Sequence, residues 1–220
     1  MDLFEYILET MNYNLYTDEY LFENIDIKKI GNDLVGYIKR FFKWLRTKFN
    51  QIVSKFKKTD YVADVENRTK EAVNDLMRKQ YETEKEKEEI LKNLSKVKRY
   101  DYAEIHKWVM DARDILIKQM TASINVTDPD TMKESISKFD ESINEICDKE
   151  FPKKEYADMT VFKKECDGVI KDIEKVINDM SSITEKLAKK LEESGSDASL
   201  IQKYTNAQLR IFNKAMSTLK

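Results

Sequence analysis

Glycine and proline are scarce in this chain, with four and two among 220 residues, where average usage would give roughly 15 and 11. Tight strand turns and phosphate-cradling loops need glycine's positive φ. The shortage therefore argues against turn-rich β folds and for helices joined by few short connections. Histidine occurs once, as His106, and cysteine twice, as Cys147 and Cys166. A structural zinc site takes about four such ligands, and the cysteines form no CxxC pair. Neither a Cys/His metal site nor a disulfide framework is expected, and two buried thiols in a reducing compartment are the plain reading. No run of 18 apolar residues is present, so no bilayer-spanning helix is expected. The opening "MDLFEYILETM" starts acidic and lacks the apolar core of a secretory signal. The three N-x-[ST] triplets at Asn67, Asn93 and Asn125 then read as chance matches, and the expected location is intracellular, inside a cell or a particle assembled in one.

What is abundant is charge, at 36% of residues, beside 41% hydrophobic ones. That mixture suits amphipathic helices with wide solvated faces. The net charge of −2 conceals a segregation. Residues 1–27 hold seven acids and no Lys or Arg, whereas residues 28–58 hold ten Lys or Arg against Asp33 alone. An acidic arm beside a basic helix can fold back on it or recruit a partner of opposite sign. The arm also carries Phe4, Tyr6, Tyr13, Tyr16, Tyr20 and Phe22, with Leu3, Ile7, Leu8, Met11 and Leu15 at helical spacing. An arm this aromatic is expected to dock on a surface through Phe4, Tyr6, Ile7 and Leu8.

The stretch "GYIKRFFKWLRTKFNQIVSKFKK", from Gly36 to Lys58, is basic and aromatic and has no acid. Ile30, Leu34, Ile38, Phe41, Leu45, Phe49, Ile52 and Phe56 step by three or four and share one helical face. Trp44 falls out of that register, and Phe42 and Val53 partly so, which makes the apolar sector broad. Lys39, Arg40, Lys43, Arg46 and Lys48 supply a basic surface. Three fates fit: burial against other helices, adsorption to anionic lipid with Trp44 at the interface, or contact with phosphate or an acidic protein wall. No recognisable DNA- or RNA-binding motif accompanies it.

Thr59-Asp60 is an N-cap signal, after which a helical pattern is expected to run to about Asn125, with a polar mid-section "KQYETEKEKEE" that is solvated or hides a turn. Apolar spacing resumes through Ile90, Leu94 and Val97, and then through Ile105, Val109, Ala112, Leu116 and Met120. His106 reads as structural or exposed, since di-iron bundles need two Glu-x-x-His pairs. "NVTDPDTMKES" breaks the pattern, with Thr127 or Asp128 as a cap and Pro129 opening a helix. That helix, through Met132, Ile136, Phe139, Ile143 and Ile146, is expected to end near Phe151-Pro152. From Thr160 to Glu193, Cys166, Ile170, Ile173, Ile177, Met180, Leu187 and Leu191 approach heptad spacing, with Thr184 as the lapse. Gly195 and Ser196 or Asp197 mark a stop and a new cap. Leu200, Tyr204, Ala207, Ile211, Ala215 and Leu219 complete a last helix.

The expected fold is all-α: an acidic aromatic arm (1–27), a basic amphipathic helix (28–58), and an antiparallel bundle of long coiled-coil-like helices (59–220). No Walker loop, GxSxG, HExxH, GxGxxG or HxE…CxxC occurs. Carboxylates line every helix, so no pair stands out as a general acid and base. The expectation is a non-enzymatic binding or assembly protein without a cofactor.

The opening "MDLFEYILET" resembles the N-terminal targeting peptides of internal head proteins of large tailed bacteriophages, in which an aromatic, acidic and aliphatic helix directs the protein into the assembling capsid. The prohead protease of such phages cuts after a Glu preceded two positions earlier by Leu or Ile. Ile7-Leu8-Glu9 and Leu21-Phe22-Glu23 match, while Thr10 and Asn24 depart from the small residues usually favoured next. The basic "IKRFFKWLRTKF" with helices after it looks like small helical virion components of the same phages. The resemblance implies a structural protein in or on a virion head. Its partners would be a capsid shell protein, packaged nucleic acid at the basic helix, and further copies of itself in a homo-oligomer. The alternative is a peripheral membrane protein that adsorbs through residues 36–58.

Overall fold

Asp33 opens the first described helix of the computed structural model. Its Oδ1 accepts from the Gly36 N–H at 2.8 Å and its carbonyl from the Tyr37 N–H at 3.1 Å, so it is a working N-cap. A Cβ on residue 36 would collide with the Asp33 carboxylate, and glycine lets the cap close. The structure describes residues 33–58, 96–125, 129–194 (129–137 as backbone alone) and 199–219, together with five single positions between 67 and 74. Seven elements follow in chain order: α1 (Leu34–Lys58), β1 (Val97–Tyr100), α2 (Tyr102–Asn125), α3 (Pro129–Asp148), β2 (Lys153–Tyr156), α4 (Met159–Ser194) and α5 (Ser199–Ser217). The architecture is an all-α bundle with one two-stranded ribbon at its end.

Each strand runs into a helix through an aspartate. Asp101 Oδ1 accepts from Ala103 N at 3.1 Å, and Asp158 Oδ1 accepts from Thr160 N at 2.7 Å. These caps satisfy amides that have no partner within the helix. The strands pair antiparallel, with Val97 opposite Tyr156 and Tyr100 opposite Lys153, and each leads into its helix at the ribbon. The two helices lie parallel, in the most extensive helix contact among the described residues. His106 meets Asp172, and Arg113 meets Asp179 at 2.7 Å, the same seven-residue step on both helices. Further along, Lys190 donates to the Ile124 carbonyl.

The remaining helices run the other way. Trp108 Nε1 donates to the Ile146 carbonyl at 2.9 Å, which sets α3 antiparallel to α2. α5 lies parallel to α3, with Arg210 donating to Asn144 Oδ1 at 2.8 Å and Lys214 to the Cys147 carbonyl at 2.6 Å. α1 lies antiparallel to α4. Its contacts pair Val35 with Glu192, Arg46 with Asn178 and Lys57 with Asp167, and the partner number falls as the α1 number rises.

The apolar stripes form one core that includes α1. Leu34, Ile38, Phe41, Leu45 and Phe49 are buried, and Ile52 and Phe56 are half-buried. Phe42 and Trp44 are buried too, so the sector is broad, and Trp44 is an inside residue against Phe41, with centroids 6.4 Å apart. The α4 and α5 stripes are buried at every position named from their spacing, as are Ile105, Val109, Ala112, Leu116 and Met120 of α2. Eleven of the nineteen α5 residues are buried, which makes α5 a central helix.

Two expectations need correction. The helical pattern read from Thr59 to Asn125 is interrupted, because Val97 belongs to β1 and α2 begins only at Tyr102. The helix expected to end near Phe151-Pro152 stops at Asp148. The Phe151 ring packs edge-on against Trp108 at 5.2 Å, and the Pro152 carbonyl accepts from Asp101 N at 2.9 Å, extending the ribbon. Proline cannot continue a helix, yet its carbonyl serves a strand edge. The stripe position Ile30, the Thr59-Asp60 cap, the polar stretch 79–89, and the cap and stop positions Thr127, Asp128 and Gly195 to Asp197 lie outside the described residues, and Met132 and Ile136 are described as helical backbone alone.

Candidate functional site

Burial of the apolar side of α1 decides which of its cations face outward. Lys39, Lys43 and Arg46, at i, i+4 and i+7, are exposed along one line of the helix. Arg46 Nε donates to Asn178 Oδ1 of α4 at 3.2 Å. Arg40 turns back to Asp33 at 3.3 Å, and Lys48 places its ammonium 5.9 Å over the Trp44 ring. The five basic residues singled out from the sequence thus divide into an exposed line of three, of which Arg46 also reaches α4, and two half-buried ones turned back on α1 itself. Phe4, Tyr6, Ile7 and Leu8 lie outside the described residues.

A second polar constellation was missed by sequence reasoning. At the ribbon, the Tyr156 hydroxyl donates to Glu165 Oε2 at 2.7 Å and accepts from the Tyr102 amide at 3.0 Å. Lys154 Nζ donates to Glu165 Oε1 at 2.9 Å and lies 4.9 Å from the Tyr156 ring centroid. Burial pushes the Glu165 carboxyl up, but the hydrogen bonds from Lys154 and Tyr156 outweigh it and hold the group below the ordinary carboxylate range. The same bond to Glu165 raises Lys154, and burial raises Tyr156. This arrangement fastens β2 to α4. Its only sequence signal is a Tyr nine residues before a Glu across a strand-to-helix junction, a pattern too common to use.

Because the Glu165 pKa is depressed on folding, its contribution is present above the ordinary carboxylate range and fades as pH falls through the lowered value. Glu165→Gln is expected to cost about 1–2 kcal/mol at pH 7, the scale of a partly exposed hydrogen bond to a charged group. Urea unfolding should show that difference shrinking as pH is taken down through the lowered Glu165 value. An equal cost above and below that value would contradict the role of the carboxylate.

The third constellation lies inside. Thr184 Oγ1 donates to the Met180 carbonyl at 2.7 Å and accepts from Gln208 Nε2 at 2.9 Å. Tyr204 and Ser123 share a hydrogen bond at 2.6 Å. Tyr37, bonded to Thr205, is pushed up to about 12 by burial. Gln208 Oε1 is buried without a partner and borders an apolar cavity of about 30 Å³ between α1, α2, α4 and α5, with Phe42, Leu116 and Met180 in its wall. Ligand pockets run from about 300 Å³ upward, so this is a packing gap on the scale of a water molecule.

Burial pushes the Cys166 thiol up to about 12, and it also raises Cys147. Low-pKa thiols are the reactive ones, and neither of these is poised for chemistry. Among the described residues no three His, Cys, Asp or Glu side chains converge as a metal site would, and no described helix is long and apolar enough to cross a membrane. His106 is exposed and engages Asp172. Comparison of the chain with protein-family models, curated proteins and solved structures returns no match.

Proposed function

We propose that this chain is a non-enzymatic helical structural protein of a virion head. In this reading it docks on a protein shell through the acidic aromatic arm (Phe4, Tyr6, Ile7, Leu8) and turns the basic line of α1 toward an acidic wall. The observation that carries the reading is the division of α1: Phe41, Phe42, Leu45 and Phe49 are in the core while Lys39, Lys43 and Arg46 are exposed. A helix held this way offers charge on a rigid frame, which suits assembly by electrostatic complementarity. The resemblance of Met1–Thr10 to capsid-targeting peptides supplies the kind of assembly.

The membrane alternative asks α1 to leave the bundle. Each of those four side chains gains about 1.5–3 kcal/mol from burial. Lipid would return a similar amount while the close packing with α4 was lost. Burial therefore favours the docking reading.

Deleting residues 1–27 is expected to abolish incorporation into particles, and the combined Lys39→Glu, Lys43→Glu and Arg46→Glu change to reduce it by tenfold or more. Quantifying the protein in purified heads tests both. Undiminished incorporation of the deletion would overturn the role of the arm, and flotation of the intact chain with anionic vesicles at low salt would favour the membrane reading.

A further inference from the structure

The ribbon gathers, at one end of the bundle, cations that are far apart in sequence. Phe56 of α1 meets the Tyr102 ring at 6.5 Å and Lys57 lies 3.8 Å from Asp167, so the lysine-rich end of α1 finishes beside the ribbon and the first turns of α2 and α4. Residues 55–58, 96–101, 153–158 and 163–167 together hold ten Lys or Arg against five acids. All five acids are engaged within the protein. Asp101 and Asp158 cap helices, Glu155 lies 3.7 Å from Lys96, Glu165 holds Lys154 and Tyr156, and Asp167 faces Lys57. Lys58, Lys98, Lys153, Lys163 and Lys164 are exposed with no carboxylate partner among the described residues.

We propose that this end of the bundle is a docking surface for the phosphate backbone of double-stranded nucleic acid, read without regard to sequence. A duplex carries one charge per roughly 1.7 Å of axis, which matches cations spread over a surface rather than converging on a point. A lipid surface would ask for apolar side chains to insert, and the exposed large apolar residue among those described is Val161 alone, at 43%. Single strands bind by stacking bases on aromatic faces. Here Tyr100 is half-buried, lies edge-on to Phe151 at 6.4 Å, and has the Lys153 ammonium 5.9 Å over its ring. With the Tyr100 ring engaged in this way, contact among the described residues falls to the phosphates, which position a duplex without specifying its sequence.

The test is fluorescence anisotropy of the full chain with a mixed-sequence DNA duplex between 50 and 200 mM salt. Five phosphate contacts predict a slope of log K against log salt of about −4.5. The double change Lys98→Gln and Lys153→Gln should flatten it by about 2, whereas Lys39→Gln with Lys43→Gln on α1 should leave it unchanged. Absence of binding at 50 mM salt would overturn the proposal. So would a slope that responds to the α1 pair instead of the ribbon pair, or binding to anionic phosphatidylserine vesicles in place of DNA. Particle incorporation of the arm deletion is read separately, so failure here leaves the docking proposal standing.

Discussion

Phe41→Ala is expected to destabilise the protein by about 3–5 kcal/mol, the range for removing a fully buried ring. The Phe41 side chain has no measurable exposure, and it touches Phe42 edge-on at 5.1 Å and Trp44 at 6.4 Å. It sits midway along α1, whose inner side packs along α4, so the cavity would open within the core and could not collapse toward solvent. A domain's whole stability is about 5–15 kcal/mol, so the variant should unfold at far lower urea with the slope nearly unchanged. Lys43→Ala, two residues along and on the exposed side, should stay within about 0.5 kcal/mol. A Phe41→Ala cost under 1 kcal/mol would mean that α1 does not share the core.

Thr184→Val should cost about 1–3 kcal/mol, although it changes the volume little. The substitution takes away the acceptor that Gln208 Nε2 finds at 2.9 Å. Gln208 Oε1 already has no partner, so the carboxamide would keep only the weak Met120 Sδ acceptor at 3.5 Å, and a buried polar group so poorly paired costs most of its desolvation. Adding Gln208→Leu removes both halves of the pair and should recover most of the loss, since replacing both partners by apolar groups of similar shape is close to neutral. The cycle should give a coupling of at least about 1 kcal/mol. Simple additivity would show that the hydrogen bond between α4 and α5 contributes nothing. In the double variant the bundle would also lose a polar contact that fixes how α4 and α5 are aligned, the role that single buried polar residues play in coiled coils.

That pair shows what the sequence displayed and what was passed over in it. Thr184 stood out as the lapse in an otherwise apolar stripe, and burial of Ile177, Met180, Leu187 and Leu191 around it follows from the spacing. The partner, Gln208, was passed over because it is polar, although it sits four residues after Tyr204 and three before Ile211 on the buried face of α5. The stripe of α1 was legible in the same way, since residues three or four apart must share a face whatever covers it.

The ribbon was not legible. Val97 continues the spacing of Ile90 and Leu94, so a period of 3.6 read straight through it. "VKRY" and "KKEY" carry no turn signal, because over fifty residues separate them and the pairing is long-range. The basic end of the bundle was hidden for the same reason. Its lysines come from α1, both strands and α4, and a charge count along the chain averages them against Glu155, Glu165 and Asp167. The outward line of Lys39, Lys43 and Arg46 was visible because it lies on one helix. That Arg40 and Lys48 turn back to Asp33 and Trp44 depended on side-chain geometry that no spacing contains.

Amide hydrogen exchange along α1 tests the account most directly. If Phe41, Leu45 and Phe49 anchor the helix against α4, the amides from about residue 38 to 49 should exchange only through global opening, at the rates of the α4 amides around Ile173 to Met180. Exchange of that stretch several decades faster than in α4 would mean that α1 leaves the bundle on its own. A basic face on a fixed frame would then be the wrong description.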